Sequence, residues 1–313
     1  MRCSWKSKFK SLALLLGTLC LPVHSMETLK ELQTIARFKS AINESSALAI
    51  WGKHLWTLND SGNGPSIFKL DKNGNQLGSY RIANTKNYDW ESLASDDDFL
   101  YIGDIGNNFN RRKELTIYRI AWKGIDQPRS PIGKIALVYA DYKPGQPISH
   151  DFDAEAIAIY HDEIWLFTKN RGDGNSNLYR VPKVPGRYQP KPTQVLPVSS
   201  LVTAADIHPK TGQLVLLSTK KTPEGGKTLL WFAPTSKDGV DWANHKSMEV
   251  SPHDQWEAVA WDSETDEIFL THENNERGYA GLAKLSRKAL KIQRRTDYQR
   301  PSTEYTNNAF PGS

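Results

Sequence analysis

The sequence predicts an all-β fold, and three observations carry that prediction. A short stretch recurs as Asp89-Trp90-Glu91-Ser92-Leu93-Ala94, Asp153-Ala154-Glu155-Ala156-Ile157-Ala158 and Gln255-Trp256-Glu257-Ala258-Val259-Ala260. Each copy leads into a turn, a short apolar strand with an aromatic, a polar loop and another short strand. The third-strand positions Phe68, Tyr118, Tyr179, Trp231 and Ala283 follow one another at 50, 61, 52 and 52 residues. Short strands rich in aromatic and β-branched residues, with turn signals between them, read as β structure. A four-stranded unit repeated at a period near fifty is the pattern of a β-propeller. Such a unit cannot bury both faces of its small sheet, so it stacks on its neighbours around an axis. Five four-stranded blades are counted; a sixth, made from the N-terminal strand and the tail, stays open.

Along the chain, residues 1–25 read as a secretory signal peptide. Arg2, Lys6, Lys8 and Lys10 form a basic start, Leu12 to Leu21 is apolar but too short for a mature membrane span, and Val23-His24-Ser25 suits cleavage. A lipoprotein reading would use Cys20, but Leu19 before it is bulky. The single propeller domain is expected over 26–299 and a loose polar tail over 300–313. Thr34–Phe38 or Ala289–Arg294 is expected to complete the last blade. The second strands align as Leu55–Leu58, Leu100–Ile102, Ile164–Phe167, Leu214–Leu217 and Ile268–Leu270. The third strands align as Ile67–Leu70, Ile117–Ile120, Leu178–Val181, Leu229–Phe232 and Leu282–Leu285. Weaker fourth strands follow at Gln76–Ile82, Lys134–Val138 and Lys246–Val250.

Removing the leader changes what composition implies. The whole chain carries a formal +5, but 1–25 holds four Lys/Arg and no Asp/Glu, which leaves 36 basic against 35 acidic residues. A mature charge of +1 gives no support for nucleic-acid binding. Both cysteines, Cys3 and Cys20, leave with the leader. That excludes a disulfide framework, a thiolate metal site and a cysteine nucleophile. Nothing beyond the leader is apolar and long enough for a membrane helix. The expected location is the periplasm or the exterior.

Blade geometry points to one functional face. In an antiparallel blade the start of the innermost strand and the end of the second lie on the same side of the disc. Glu91, Glu155 and Glu257, with Ser46 and Thr203 at the matching places, should ring the mouth of the central channel. The second strands bring Asn59-Asp60, Asp104 with Asn107 and Asn108, Thr168 to Asn170, Ser218-Thr219 and His272-Glu273-Asn274 to the same spot. Crowded carboxylates must be neutralised by protons, by cations or by a metal. Hard oxygen ligands suit Ca²⁺, with Mg²⁺ behind it, whereas Zn²⁺ would ask for His and Cys. The candidate metal ligands are therefore Asp60, Glu91, Asp104, Glu155, Glu257 and Glu273, and His272 is the candidate catalytic base. Each has a structural alternative: the glutamates could bond the backbone of the next blade, and His272 could simply pack. Trp90 and Trp256 either stack on a sugar ring or pack between blades.

Other motifs are weaker. Asp71-Lys72-Asn73-Gly74-Asn75 opens like an EF-hand loop, but Gln76 replaces the glycine and Ile82 the closing glutamate, so a tight Asn-Gly turn is expected. Arg171-Gly172-Asp173 reads as a solvated turn. Ser61 beside Asp60 lies outside any nucleophile elbow.

Four stretches carry a resemblance. Asn59-Asp60-Ser61-Gly62-Asn63, Asp71-Lys72-Asn73-Gly74, Tyr88-Asp89-Trp90-Glu91-Ser92-Leu93-Ala94 and Tyr101-Ile102-Gly103-Asp104-Ile105-Gly106-Asn107-Asn108 resemble a group of exported bacterial propellers with no settled activity. They are similar in blade pattern to the SdiA-regulated and NHL-type propellers, and more distantly to calcium-dependent gluconolactonase, paraoxonase and phytase-like propellers. The motifs cover about residues 44–120. The resemblance implies fold and export, and through the distant enzymes a channel Ca²⁺ with ester, lactone or phosphate-ester hydrolysis. Asp60, Glu91, Asp104 and Glu273 would be residues of the matching kind. Two functions are carried forward: a Ca²⁺-dependent hydrolase, and a non-catalytic propeller that binds a small molecule or a protein on one face.

Overall fold

The computed structural model describes residues 27–127, 130–142, 150–223, 225–274 and 278–290. The expected leader, the tail 300–313 and most of the alternative closing strand Ala289–Arg294 lie outside these residues.

Five small sheets stand in a ring, each built on an innermost strand: Ser45–Trp51, Trp90–Ser95, Ala154–Tyr160, Leu201–Ile207 and Trp256–Asp262. Each pairs antiparallel with the next strand outward: His54–Asn59, Phe99–Asp104, Glu163–Thr168, Gln213–Thr222 and Glu267–His272. These are blades one to five, and no sixth blade forms among the described residues. The ring closes through the N-terminal strand Gln33–Arg37, which pairs antiparallel with Gly281–Leu285 and becomes the outer strand of blade five.

The core lies between the blades rather than inside any one of them. Alternation along a strand sends successive side chains to opposite faces. In blade four, Leu214 and Leu216 therefore pack with Trp165 and Phe167 of blade three, while Val215 and Leu217 pack with Val259 and Ile268 of blade five. Five such clusters fill the five interfaces, the last joining Leu48, Leu55 and Phe68 of blade one to Ala258, Phe269 and Leu282 of blade five. Each fully buried aliphatic side chain contributes roughly 1.5–3 kcal/mol, so no interface can be given up cheaply.

Two blade edges are covered by parallel strands from elsewhere. Gly186–Tyr188 pairs with Ile132–Leu137 of blade two, and Glu27–Glu31 pairs with Lys246–Ser251 of blade four. Covering an edge removes a template for pairing with other chains. Among the described residues no helix is long and apolar enough to cross a membrane.

Candidate channel-mouth site

The site begins with one local feature that recurs five times. The ladder between the first and second strands slips by a residue at Ser46, Glu91, Glu155, Thr203 and Glu257. Each is the extra residue of a β-bulge, a device that re-aims one side chain. The bulge turns these five side chains toward the axis. The short ones bond across to the next blade: Ser46 Oγ donates to Trp90 O at 3.0 Å and Thr203 Oγ1 to Trp256 O at 3.2 Å. The three glutamates are longer and reach into the channel.

A second tier sits one residue beyond the second strands. The N–H groups of Asp60, Ile105, Lys169 and Glu273 donate to the carbonyls of Glu44, Asp89, Asp153 and Gln255, at 2.9, 3.1, 2.8 and 3.2 Å. Blade four departs from this because its second strand runs on to Thr222. The channel mouth thus collects Glu91, Glu155, Glu257, Asp60 and Glu273, with the Lys169 ammonium among them and Arg171 beside Glu155.

The charges divide into two groups. Lys169 Nζ lies 2.7 Å from Glu155 Oε2, and Arg171 approaches Glu155 Oε1 at 3.5 Å while holding Asp153 Oδ2 at 2.8 Å. Burial works against the Lys169 ammonium, but Glu155, Glu257 and Glu91 outweigh it and hold its pKa above the ordinary lysine value. Across the mouth, carboxylate oxygens of Asp60, Asp89 and Glu91 lie within 4.8 Å of one another. Glu91 is only 7% exposed and has no hydrogen-bond or ion-pair partner among the described residues. Burial first, then Glu155, Asp60 and Asp89, push its pKa well above the usual carboxylate range. Burial and the neighbouring Asp60 push Asp89 up to about 6. Burial, Glu257 and Asp60 push Glu273 up to about 8.

The surrounding loops are shaped to this group. A methyl on Gly106 would overlap the Asp89 carboxylate and come within 2.8 Å of Glu91 Oε1. Asn87 Nδ2 donates to Asn59 O at 3.0 Å and Asp60 O at 2.9 Å, while its Oδ1 accepts Trp90 N–H at 3.0 Å. One amide thus fixes Asp60 of blade one against Asp89 and Glu91 of blade two. The donor set is three carboxylates, hard oxygen ligands of the kind that Ca²⁺ and Mg²⁺ both take.

Not every residue expected here arrives. Asp60, Glu91, Glu155, Glu257 and Glu273 line the mouth. Asp104 is turned away: it pairs with Trp90 across the ladder, so it shares that residue's face, and its Oδ1 takes Arg112 at 2.8 Å. His272 pairs with Trp256 in the same way. Its ring, 3% exposed, packs between Trp256 and Tyr279, and Nδ1 lies 2.8 Å from Glu273 O. Trp90 and Trp256 are buried between blades. The exposed aromatics are instead Tyr88 and Phe109, on the loops that flank Asp89 and Gly106. The Asp71 loop is a closed turn whose Oδ1 accepts the N–H groups of Asn73 and Asn75, both at 2.9 Å.

No protein-family description matches the chain, and no curated protein matches it. Solved structures align over most of its length. Hydrazine synthase of Kuenenia stuttgartiensis is 9% identical, covering 80% of this chain and 89% of that one at a TM-score of 0.42. A putative oxidoreductase (glucose dehydrogenase) of Thermus thermophilus is 10% identical, covering 81% and 100% at 0.43. A calcium-binding protein, regucalcin, of Agrobacterium tumefaciens is 12% identical, covering 84% and 98% at 0.41. Likenesses this remote carry no functional argument.

Proposed function

We propose that this chain is a calcium-binding propeller which holds one Ca²⁺ at Asp60, Asp89 and Glu91 and takes a small oxygen-rich molecule at the channel mouth. The observation that carries the proposal is the buried, unpartnered Glu91 carboxylate aimed at two others within 4.8 Å. A bound ion would supply a Lewis acid for an ester, lactone or phosphate-ester oxygen. The chain's own part would be to orient the ligand between the loops of Tyr88 and Phe109 and deliver a proton. Glu273 suits that last role better than His272, because burial raises its carboxyl at the mouth whereas His272 packs between Trp256 and Tyr279. The leader-like stretch 1–25 supports a place outside the cytoplasm for this activity.

A second reading, a non-catalytic propeller that binds a ligand or protein on this face, is favoured by a different observation. Arg112, Lys169 and Arg171 neutralise Asp104, Glu155 and Asp153 without any metal. The test is calcium titration by calorimetry with Glu91→Gln alongside, followed by an ester, lactone and phosphate-ester screen with and without a chelator. Binding lost in Glu91→Gln, with turnover lost to the chelator, supports the hydrolase. Binding without turnover supports the second reading, and no binding to the unaltered chain rejects the calcium site.

A further inference from the structure

Lys169 occupies a position that two other blades give to acids. Asp60, Ile105 and Lys169 each follow their blade's bulged residue, Ser46, Glu91 or Glu155, by 14 places, and each is held by the same backbone bond to the start of the innermost strand. Glu273 is the counterpart in blade five. Three of the four equivalent positions thus carry Asp60, Ile105 and Glu273, and the fourth carries an ammonium. The ammonium sits against Glu155 at 2.7 Å, with side-chain exposures of 14% and 5%. Glu257, the bulged residue of blade five as Glu155 is of blade three, has no hydrogen-bond or ion-pair partner among the described residues. A group of oxygens that elsewhere in the mouth is left open to a cation is here already closed by one.

We infer that the Lys169 ammonium fills a second cation position of the channel mouth, at Glu155 and Glu257, so that the chain takes a single divalent ion at Asp60, Asp89 and Glu91. The inference rests on the calcium reading above. A lysine ammonium is a compact point charge on a flexible stem, which suits it to stand where a hard cation would otherwise bind carboxylates. Its removal leaves Glu155 and Glu257 with one incomplete partner, Arg171 at 3.5 Å. Their oxygens then resemble those of the open group: carboxylates, buried or half-buried, and in need of positive charge.

The test counts ions by calcium calorimetry at pH 8 on the full chain, Lys169→Gln, Lys169→Met and Lys169→Arg. The unaltered chain and Lys169→Arg should bind one ion, and Lys169→Gln and Lys169→Met two. Adding Glu257→Gln to Lys169→Gln should return the count to one. The dependence of melting temperature on calcium concentration gives the same count for a variant too unstable for calorimetry, because each bound ion steepens it. One ion in every form, two in the unaltered chain, or weaker binding in Lys169→Gln and Lys169→Met would each overturn the inference while leaving the calcium site standing. No ion in the unaltered chain would remove the calcium site and the inference together.

Discussion

Glu91 and Asp104 look alike in the sequence and do opposite things in the fold. Glu91 is a buried acid whose charged form is penalised and unpaired. Glu91→Gln keeps its shape and removes the charge. Calcium affinity should fall at least tenfold, about 1.4 kcal/mol, while the calcium-free protein should melt higher at pH 8, because a penalised charge is gone. A variant that binds calcium normally would show that Glu91 is no ligand. Asp104 holds Arg112 at 2.8 Å and accepts the backbone N–H of Asp89 at 3.1 Å. Asp104→Asn should leave calcium stoichiometry unchanged and cost about 1.5–3 kcal/mol of stability, the range for hydrogen bonds to charged groups. Denaturant unfolding separates the two variants. If Asp104→Asn instead abolished binding at full stability, the assignment of Asp104 to structure would be wrong.

The unit that places these residues is a strand pair with one bulge. Gly106 belongs to the loop that follows the pair in blade two, and its missing Cβ makes room for Asp89 and Glu91. Gly106→Ala should therefore push the two carboxylates apart and weaken calcium binding more than it lowers the melting temperature, which calorimetry and a thermal scan would compare. Much of this unit is legible in the sequence. The repeats mark the centres of the second and third strands of all five blades, though those of blade four run on to ten and twelve residues, and their antiparallel order puts the right face of the disc at the site. Parity is what the repeats do not show. A residue paired across the ladder with Trp90 or Trp256 must share its face, so Asp104 and His272 turn away from the axis, and only their successors, Ile105 and Glu273, can face it. The same offset from Glu155 leads to Lys169, whose charge is inconspicuous between Thr168 and Asn170. The parallel strands Gly186–Tyr188 and Glu27–Glu31 escape a sequence reading for another reason. They are short, and their pairing partners lie 51 residues away at Ile135↔Gly186 and 221 residues away at Glu27↔Met248, so no local pattern announces them.

At the scale of the whole ring, the channel mouth stores like charge, and that gives the protein an unusual dependence on pH. At the mouth burial pushes Asp89 up to about 6 and Glu273 to about 8 and also raises Glu91, Glu155 and Glu257, and away from the mouth, near the far end of blade four's innermost strand, it pushes Asp206 to about 7. Unfolded aspartates and glutamates titrate near 4. Between about pH 4 and 8 the folded state therefore binds more protons than the unfolded state, and stability must fall as pH rises through that window. His208 and His54 oppose this, since burial lowers both, but they are two groups against several. Lys169, with a raised pKa, keeps its contribution until the pH passes the unfolded lysine value, so it is silent here. The acids feel one another, so their effects do not add, and a total of about 2–3 kcal/mol corresponds to roughly 3–5 °C for a chain of this size. The melting temperature without calcium should accordingly be higher at pH 5.5 than at pH 8. Calcium should raise it more at pH 8 than at pH 5.5, because protons compete with the ion for carboxyls whose pKa values are all raised. At a hundredfold excess over its dissociation constant the ion stabilises by about 2.7 kcal/mol, enough to offset most of the loss. Thermal scans at the two pH values, with calcium and with a chelator, decide the matter. A melting temperature that rises with pH would mean that the ion pairs of Lys169, Arg112 and Arg171 already neutralise the mouth. A fall with pH that calcium leaves untouched would keep the proton-loaded cluster and dismiss its metal.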